Sequence, residues 1–149
     1  MIGLLQRVTE ASVTVGGQVI GRIDRGLLVL VAVHRDDEER DIQRLGERIL
    51  TYRVFPDAED RMNLSVQDVG GKILLVSNFT LHGDCRKGRR PGFDAAAQPQ
   101  FANQLYDKTA ELISSEGITV EKGLFGEHMH VSSINDGPVT FLLDSSKLF

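Results

Sequence analysis

Cysteine occurs once in this 149-residue chain, tryptophan is missing, and no apolar run exceeds Leu27 to Val33. A single thiol, Cys85, excludes an intrachain disulfide framework and suits a reducing compartment. The apolar run is far too short to span a bilayer, so no membrane association is expected. The opening Met1 to Arg7 has no basic start followed by a long apolar core and does not read as a signal peptide, which points to the cytoplasm. Excess charge is lacking too. With 17 Lys and Arg against 21 Asp and Glu the net charge is -4, which argues against broad nonspecific nucleic-acid binding but leaves room for a local basic patch. No G-x-S-x-G, P-loop or dinucleotide fingerprint occurs, and there are no repeats.

What is present reads as one folded domain over residues 1–149. Apolar content of 41% with 26% charged residues is ordinary for a globular protein. Ser12 to Val15, Gly16-Gly17 and Gln18 to Ile20 give a hairpin signal. Leu27 to Val33 is a strand without a polar face. From Asp36 to Leu50 the period changes: Ile42, Leu45, Ile49 and Leu50 recur at helical spacing behind an acidic start, Asp36 to Glu39. Asp57 to Asp60 reads as a solvated loop, and Leu64 to Val69 as a short strand. A second helix runs from Pro99 to a stop at Gly117, its stripe being Phe101, Leu105, Thr109, Leu112 and Ile113. Three closing strands are expected: Ile118 to Val120, His128 to Ile134, and Val139 to Leu143. Strands outnumber helices, so the fold class is α+β.

The stretch around which the chain is organised is Lys72 to Leu81. Gly70-Gly71 turn into Ile73 to Val76, a strand fit for burial on both faces, which runs directly into Ser77-Asn78-Phe79-Thr80. A rigid element thus delivers small polar side chains and freed backbone N–H groups to an edge, as a site requires; the same residues also close ordinary turns. Downstream, Arg86-Lys87-Gly88-Arg89-Arg90 forms an exposed basic loop that can meet phosphates or simply solubilise the surface. Asn135-Asp136-Gly137-Pro138 reads as a turn that could hold its carbonyls in a fixed orientation. His128 and His130 fall on one strand face but no third ligand at a telling spacing joins them, and Cys85 with His82 lacks a catalytic context. No metal or other cofactor is expected.

Several separated segments together resemble the D-aminoacyl-tRNA deacylase family: Ser77-Asn78-Phe79-Thr80-Leu81, the Lys87-Gly88-x-Arg-Pro loop, Met62 to Val66, Asn135 to Phe141, and the opening Gln6-Arg7-Val8 and Ala11-Ser12-Val13. The likeness runs nearly end to end. It departs at Asn78, where the family generally has Gln. The resemblance implies a homodimer with a largely antiparallel, barrel-like sheet and two long helices outside. It implies hydrolysis of the ester joining a D-amino acid, or glycine, to the 3′-terminal adenosine of tRNA. Backbone N–H groups of Phe79 and Thr80 would receive the oxyanion, with Thr80 as a covalent nucleophile the weaker version, and Ser77 to Thr80 would frame the adenosine. Gly137-Pro138, in the cis form, would enter from the partner subunit, braced by Arg7, and Met129 would line the pocket. Arg86, Lys87, Arg89 and Arg90 would contact tRNA phosphates. The alternatives are a metal-dependent hydrolase built on His128 and His130 and a noncatalytic module binding RNA ends.

Overall fold

The sheet is built on its first strand. In the computed structural model, which describes residues 1–148, β1 (Ile2–Val15) is hydrogen-bonded along both edges. One edge pairs with β2 (Gln18–Ile23) through Ala11 to Val15 and with β3 (Gly26–Ala32) through Ile2 to Val8. The hairpin to β2 turns at Gly16 and Gly17, with φ of 55° and 80°, the paired left-handed conformation of a two-residue loop.

Helix α1 (Glu39–Thr51) packs Ile42, Leu45, Ile49 and Leu50 into the core. Its start is fixed by Asp41, whose carboxylate accepts the Glu38 N–H at 2.8 Å. Asp36 and Asp37 precede the helix, and Asp37 instead accepts a hydrogen bond from the buried Met1 ammonium at 2.6 Å. Two short strands follow, β4 (Phe55–Pro56) and β5 (Met62–Leu64), bracketing the Asp57 to Asp60 loop. The strand expected over Leu64 to Val69 ends at Leu64. Ser65 and Asp68 bond side chain to backbone and fold the next residues into a turn, an alternative to ladder pairing open to such residues.

β6 (Lys72–Ser77) lies beside β3, and β7 (Val120–Lys122) lies beside β6. The expected barrel-like sheet with two outer helices is present, and these two ladders within it are parallel. Alternate residues of β3 and β6 serve two cores. Leu27, Val29, Val31, Ile73 and Leu75 pack against the helix side, whereas Leu28, Leu74 and Val76 join Val8, Ala11, Val13 and Ile23 inside the curl of the sheet. Burial on both faces explains two strands with no polar alternation. The curl brings β2 against β7: a Cβ on Gly21 would lie 2.8 Å from the Lys122 carbonyl oxygen.

Helix α2 (Pro99–Ser115) begins on Pro99 and buries Leu105, Tyr106, Thr109 and Ile113. Phe101, assigned to this stripe from the sequence, is on the outer side, and Ala102 takes the buried position beside it. The final element also differs from expectation. Instead of two strands and a turn, β8 (His130–Asp144) is continuous and pairs with β1 over nearly its whole length. Its register jumps between Gln6↔Thr140 and Val8↔Asn135, so residues 136–139 bulge out of the ladder. His128 lies before this strand, so it and His130 do not share a strand face. No helix among the described residues is long and apolar enough to cross a membrane.

Candidate active site

β6 ends where the sequence places its polar edge. Ser77 is its last residue, paired with Val31, and the Asn78 N–H donates to the Val31 carbonyl at 2.8 Å. The chain then makes a single 3-10 turn, Phe79–His82, closed by the Leu81 N–H donating to the Asn78 carbonyl. The backbone N–H groups of Phe79 and Thr80 donate to no acceptor among the described residues. The Thr80 hydroxyl donates to the Asn78 amide oxygen.

A cavity of about 920 Å³ opens over this turn and is lined by Ser77, Asn78, Phe79, Thr80 and Met129. Five of the residues that the resemblance assigns to the site therefore converge, with His128 also in the lining, although Met129 lies some fifty positions from Ser77 to Thr80. Met129 is held from behind: its sulfur accepts the Leu124 N–H at 3.4 Å and lies so near Gly123 that a Cβ there would come within 2.7 Å of it. The Phe79 ring is 54% exposed and meets Phe93 edge to face at 5.0 Å. Gln6, named above only within the opening motif, and Phe93 and Phe125, which no sequence pattern signalled, also line the cavity.

Arg7, Gly137 and Pro138 do not line this cavity. Arg7 follows Gln6 on β1 and points to the other face, where its guanidinium donates to the Val54 carbonyl at 2.7 Å and the Asp136 carbonyl at 3.1 Å. The Asn135 amide donates to the carbonyls of Arg7 and Val139, at 3.1 and 2.9 Å, and so clips the two ends of the bulge together. Asn135 was read only as part of a turn. The Gly137-Pro138 peptide bond is cis, and Gly137 has φ of 142°.

The basic loop lies against a second, neighbouring basin lined by Arg35, His82, Arg86, Lys87 and Arg90. Arg86 is engaged there: its guanidinium donates to both oxygens of Asp84, at 2.8 and 2.7 Å, and holds that carboxyl well below the usual carboxylate range. Lys87, Arg89 and Arg90 have no carboxylate partner among the described residues. His82 is half-buried, and burial followed by the nearby His34 ring pushes its pKa below the ordinary value. The His128 and His130 rings meet edge to face at 5.2 Å. Among the described residues no group of three or more His, Cys, Asp and Glu converges as a metal site would require.

A cavity at the end of a buried strand, with Phe79 and Thr80 in its lining and their backbone N–H groups unpaired among the described residues, suits a small α+β hydrolase. Residues 4–144 match the family model described as D-Tyr-tRNA(Tyr) deacylase, and the chain belongs to this family. It is 52% identical over 149 residues, the full length of both chains, to a D-aminoacyl-tRNA deacylase of Clostridioides difficile (strain 630). A second such enzyme, from Koribacter versatilis, is 53% identical over 146 residues, 98% of each chain. Among solved structures, the c-Myc DNA Unwinding Element Binding Protein superposes with a TM-score of 0.91 at 37% identity, covering 97% of this chain and 98% of the other. A probable eukaryotic D-amino acid tRNA deacylase gives 0.81 at 20% identity over 96% and 98%, a likeness of fold.

Proposed function

We propose that this deacylase cleaves the ester between a D-amino acid, or glycine, and the 3′-terminal adenosine of tRNA, with the Phe79 and Thr80 N–H groups as its oxyanion site. The observation that carries this reading is the pair of unpaired donors on the cavity rim. An aminoacyl ester is already activated. Its hydrolysis needs an oriented carbonyl and a fixed site for the developing charge more than a protein nucleophile. Water adds to the ester carbonyl, the oxyanion forms against the two N–H groups, and collapse expels the ribose 3′ oxygen, which takes up a proton. The neighbouring ribose hydroxyl of the substrate assists that proton transfer. Ser77 and Asn78 frame the adenosine, and Met129 walls the pocket.

Handedness comes from the bulge of a second copy. Gly137 and Pro138 lie off the chain's own cavity, so a homodimer is the arrangement in which their main-chain oxygens would reach a substrate amino group. Backbone beside the Cα then leaves no room for an L side chain, whatever its identity. β8 supports the association: its outer edge has no partner strand among the described residues, and it exposes Val131, Ile134, Phe141 and Leu142. An unpaired apolar edge of that length is what a second copy would cover. Lys87, Arg89 and Arg90, with Arg86 as the loop's internal staple, face the tRNA phosphates. The setting is the cytoplasm, where aminoacylated tRNA is found.

The test is incubation with D-Tyr-tRNA and L-Tyr-tRNA, with and without EDTA. Hydrolysis of the D ester alone, insensitive to chelation, is expected. Loss of activity in EDTA would transfer the chemistry to His128 and His130. Retention of charged tRNA without turnover would make the protein a binding module for RNA ends.

A further inference from the structure

We infer that the Thr80 hydroxyl is a positioning group that keeps its own backbone N–H free, by holding the N-cap amide oxygen of Asn78 at the side chain and away from that N–H. This rests on the oxyanion reading above and deepens it. Asn78 stands at the N-cap of the 3-10 turn, and Asn is among the strongest capping residues. An N-cap side-chain oxygen characteristically accepts the N–H two or three residues on. Here the residue two on is Thr80, whose N–H is one of the proposed oxyanion donors, and the residue three on is Leu81. Leu81 is already served by the Asn78 backbone carbonyl. The expected cap would therefore fall on Thr80.

That cap does not form. No hydrogen bond runs from a turn N–H to the Asn78 side chain, whose oxygen is taken by the Thr80 hydroxyl. Side-chain oxygens of Asn and backbone acceptors compete for the same donors, so a local hydroxyl donor decides which bond forms. The hydroxyl acts as a tether: it fixes the direction of the Asn78 oxygen and leaves the Thr80 N–H to the substrate. A capped N–H would already be spent on a neutral amide when charge develops, and the site would lose one of its two donors.

The experiment compares the wild-type protein, Thr80→Val, and the double variant Asn78→Ala with Thr80→Val. Valine keeps the branched shape and removes the donor. In Thr80→Val the freed amide oxygen turns to the N–H at position 80. Single-turnover hydrolysis of D-Tyr-tRNA falls by about a hundredfold, the cost of one oxyanion donor, and the backbone amide at position 80 gains hydrogen-exchange protection. Adding Asn78→Ala removes the competing oxygen, so the protection disappears whatever that change costs in the hold on adenosine. Unchanged exchange at position 80 in Thr80→Val, or protection that persists in the double variant, overturns the inference. The exchange comparison needs no RNA. Should wild-type protein fail to hydrolyse D-Tyr-tRNA, the functional reading falls while the exchange data still decide whether Asn78 and Thr80 compete as described.

Discussion

Arg7 and Asp136 lie 129 positions apart, yet the Arg7 guanidinium donates to the Asp136 carbonyl at 3.1 Å and lies 3.3 Å from its carboxylate. Because the same guanidinium also reaches Val54, one side chain ties the β8 bulge to the loop after α1. Arg7→Ala leaves two carbonyls without their donor at a nearly buried position. Stability should fall by about 1–3 kcal/mol, read from urea unfolding. The ratio of D- to L-Tyr-tRNA hydrolysis should fall as well, since the bulge would lose its fixed direction. An unchanged ratio in a folded variant would separate the bulge from chiral selection.

The basic loop makes a graded prediction about salt. Neutralising Lys87, Arg89 and Arg90 together should weaken tRNA binding and lower the slope of log affinity against log salt by about 2 to 3, near one counterion per charge. Arg86→Ala should change the slope less, because Arg86 is already bound to Asp84. Filter binding between low and moderate salt is the measurement. Equal slopes for wild type and the triple variant would remove the loop from the RNA interface.

Acid should act through His82. Its folded pKa lies below the ordinary histidine value, from burial first and the neighbouring His34 second. The neutral ring is favoured in the folded state, so this contribution is complete above the unfolded value of about 6.5 and is lost as pH falls through the lower, folded value. Urea midpoints for wild type should therefore drop between pH 7.5 and 5.5 by more than those of His82→Gln. Parallel declines would assign the acid sensitivity elsewhere.

Association should depend on the exposed residues of β8. Ile134→Asp combined with Leu142→Asp places charge on an apolar edge whose side chains are largely exposed in a single chain, so a folded monomer should not suffer. Sedimentation velocity should show a dimer for wild type and a monomer for the variant, with D-Tyr-tRNA hydrolysis lost in parallel. A fully active monomer would show that the second copy supplies nothing to the cavity.

Much of the fold was legible because a local pattern determined it. Gly16-Gly17 could serve a two-residue hairpin, and Leu27 to Val33 had to be covered on both faces. Ile42, Leu45, Ile49 and Leu50 could share only a helix face. The misreadings came where distant pairing overrode local chemistry. Asn135 to Pro138 carries every mark of a turn, but β1 continues past it and captures strand on both sides, leaving the residues as a bulge. Phe101 lost its buried place to Ala102 because the buried stripe of α2 runs through Ala102, Leu105, Tyr106, Thr109 and Ile113. The candidate site was legible at Ser77 to Thr80, where a strand edge is a local property. Phe93 and Phe125 were not, because they sit in loops outside any periodic pattern and reach the cavity only in the folded chain. The clip formed by Asn135 was hidden for a related reason: its two acceptors belong to different strands.

β1 has a temporal consequence. Its outer edge is completed by β8, with Ile2 opposite Asp144, so this strand waits for one synthesised more than a hundred residues later. The hairpin with β2 and the ladder with β3 can form early. The edge that β8 covers, and the bulge that Arg7 and Asn135 hold, can form only after His130 to Asp144 have been synthesised. Pairing across so long a separation carries a large loop-closure cost and slows folding. Until then half of the spine is an open template, and ribosome-bound chains truncated before His130 should be the species most prone to capture by chaperones or by one another.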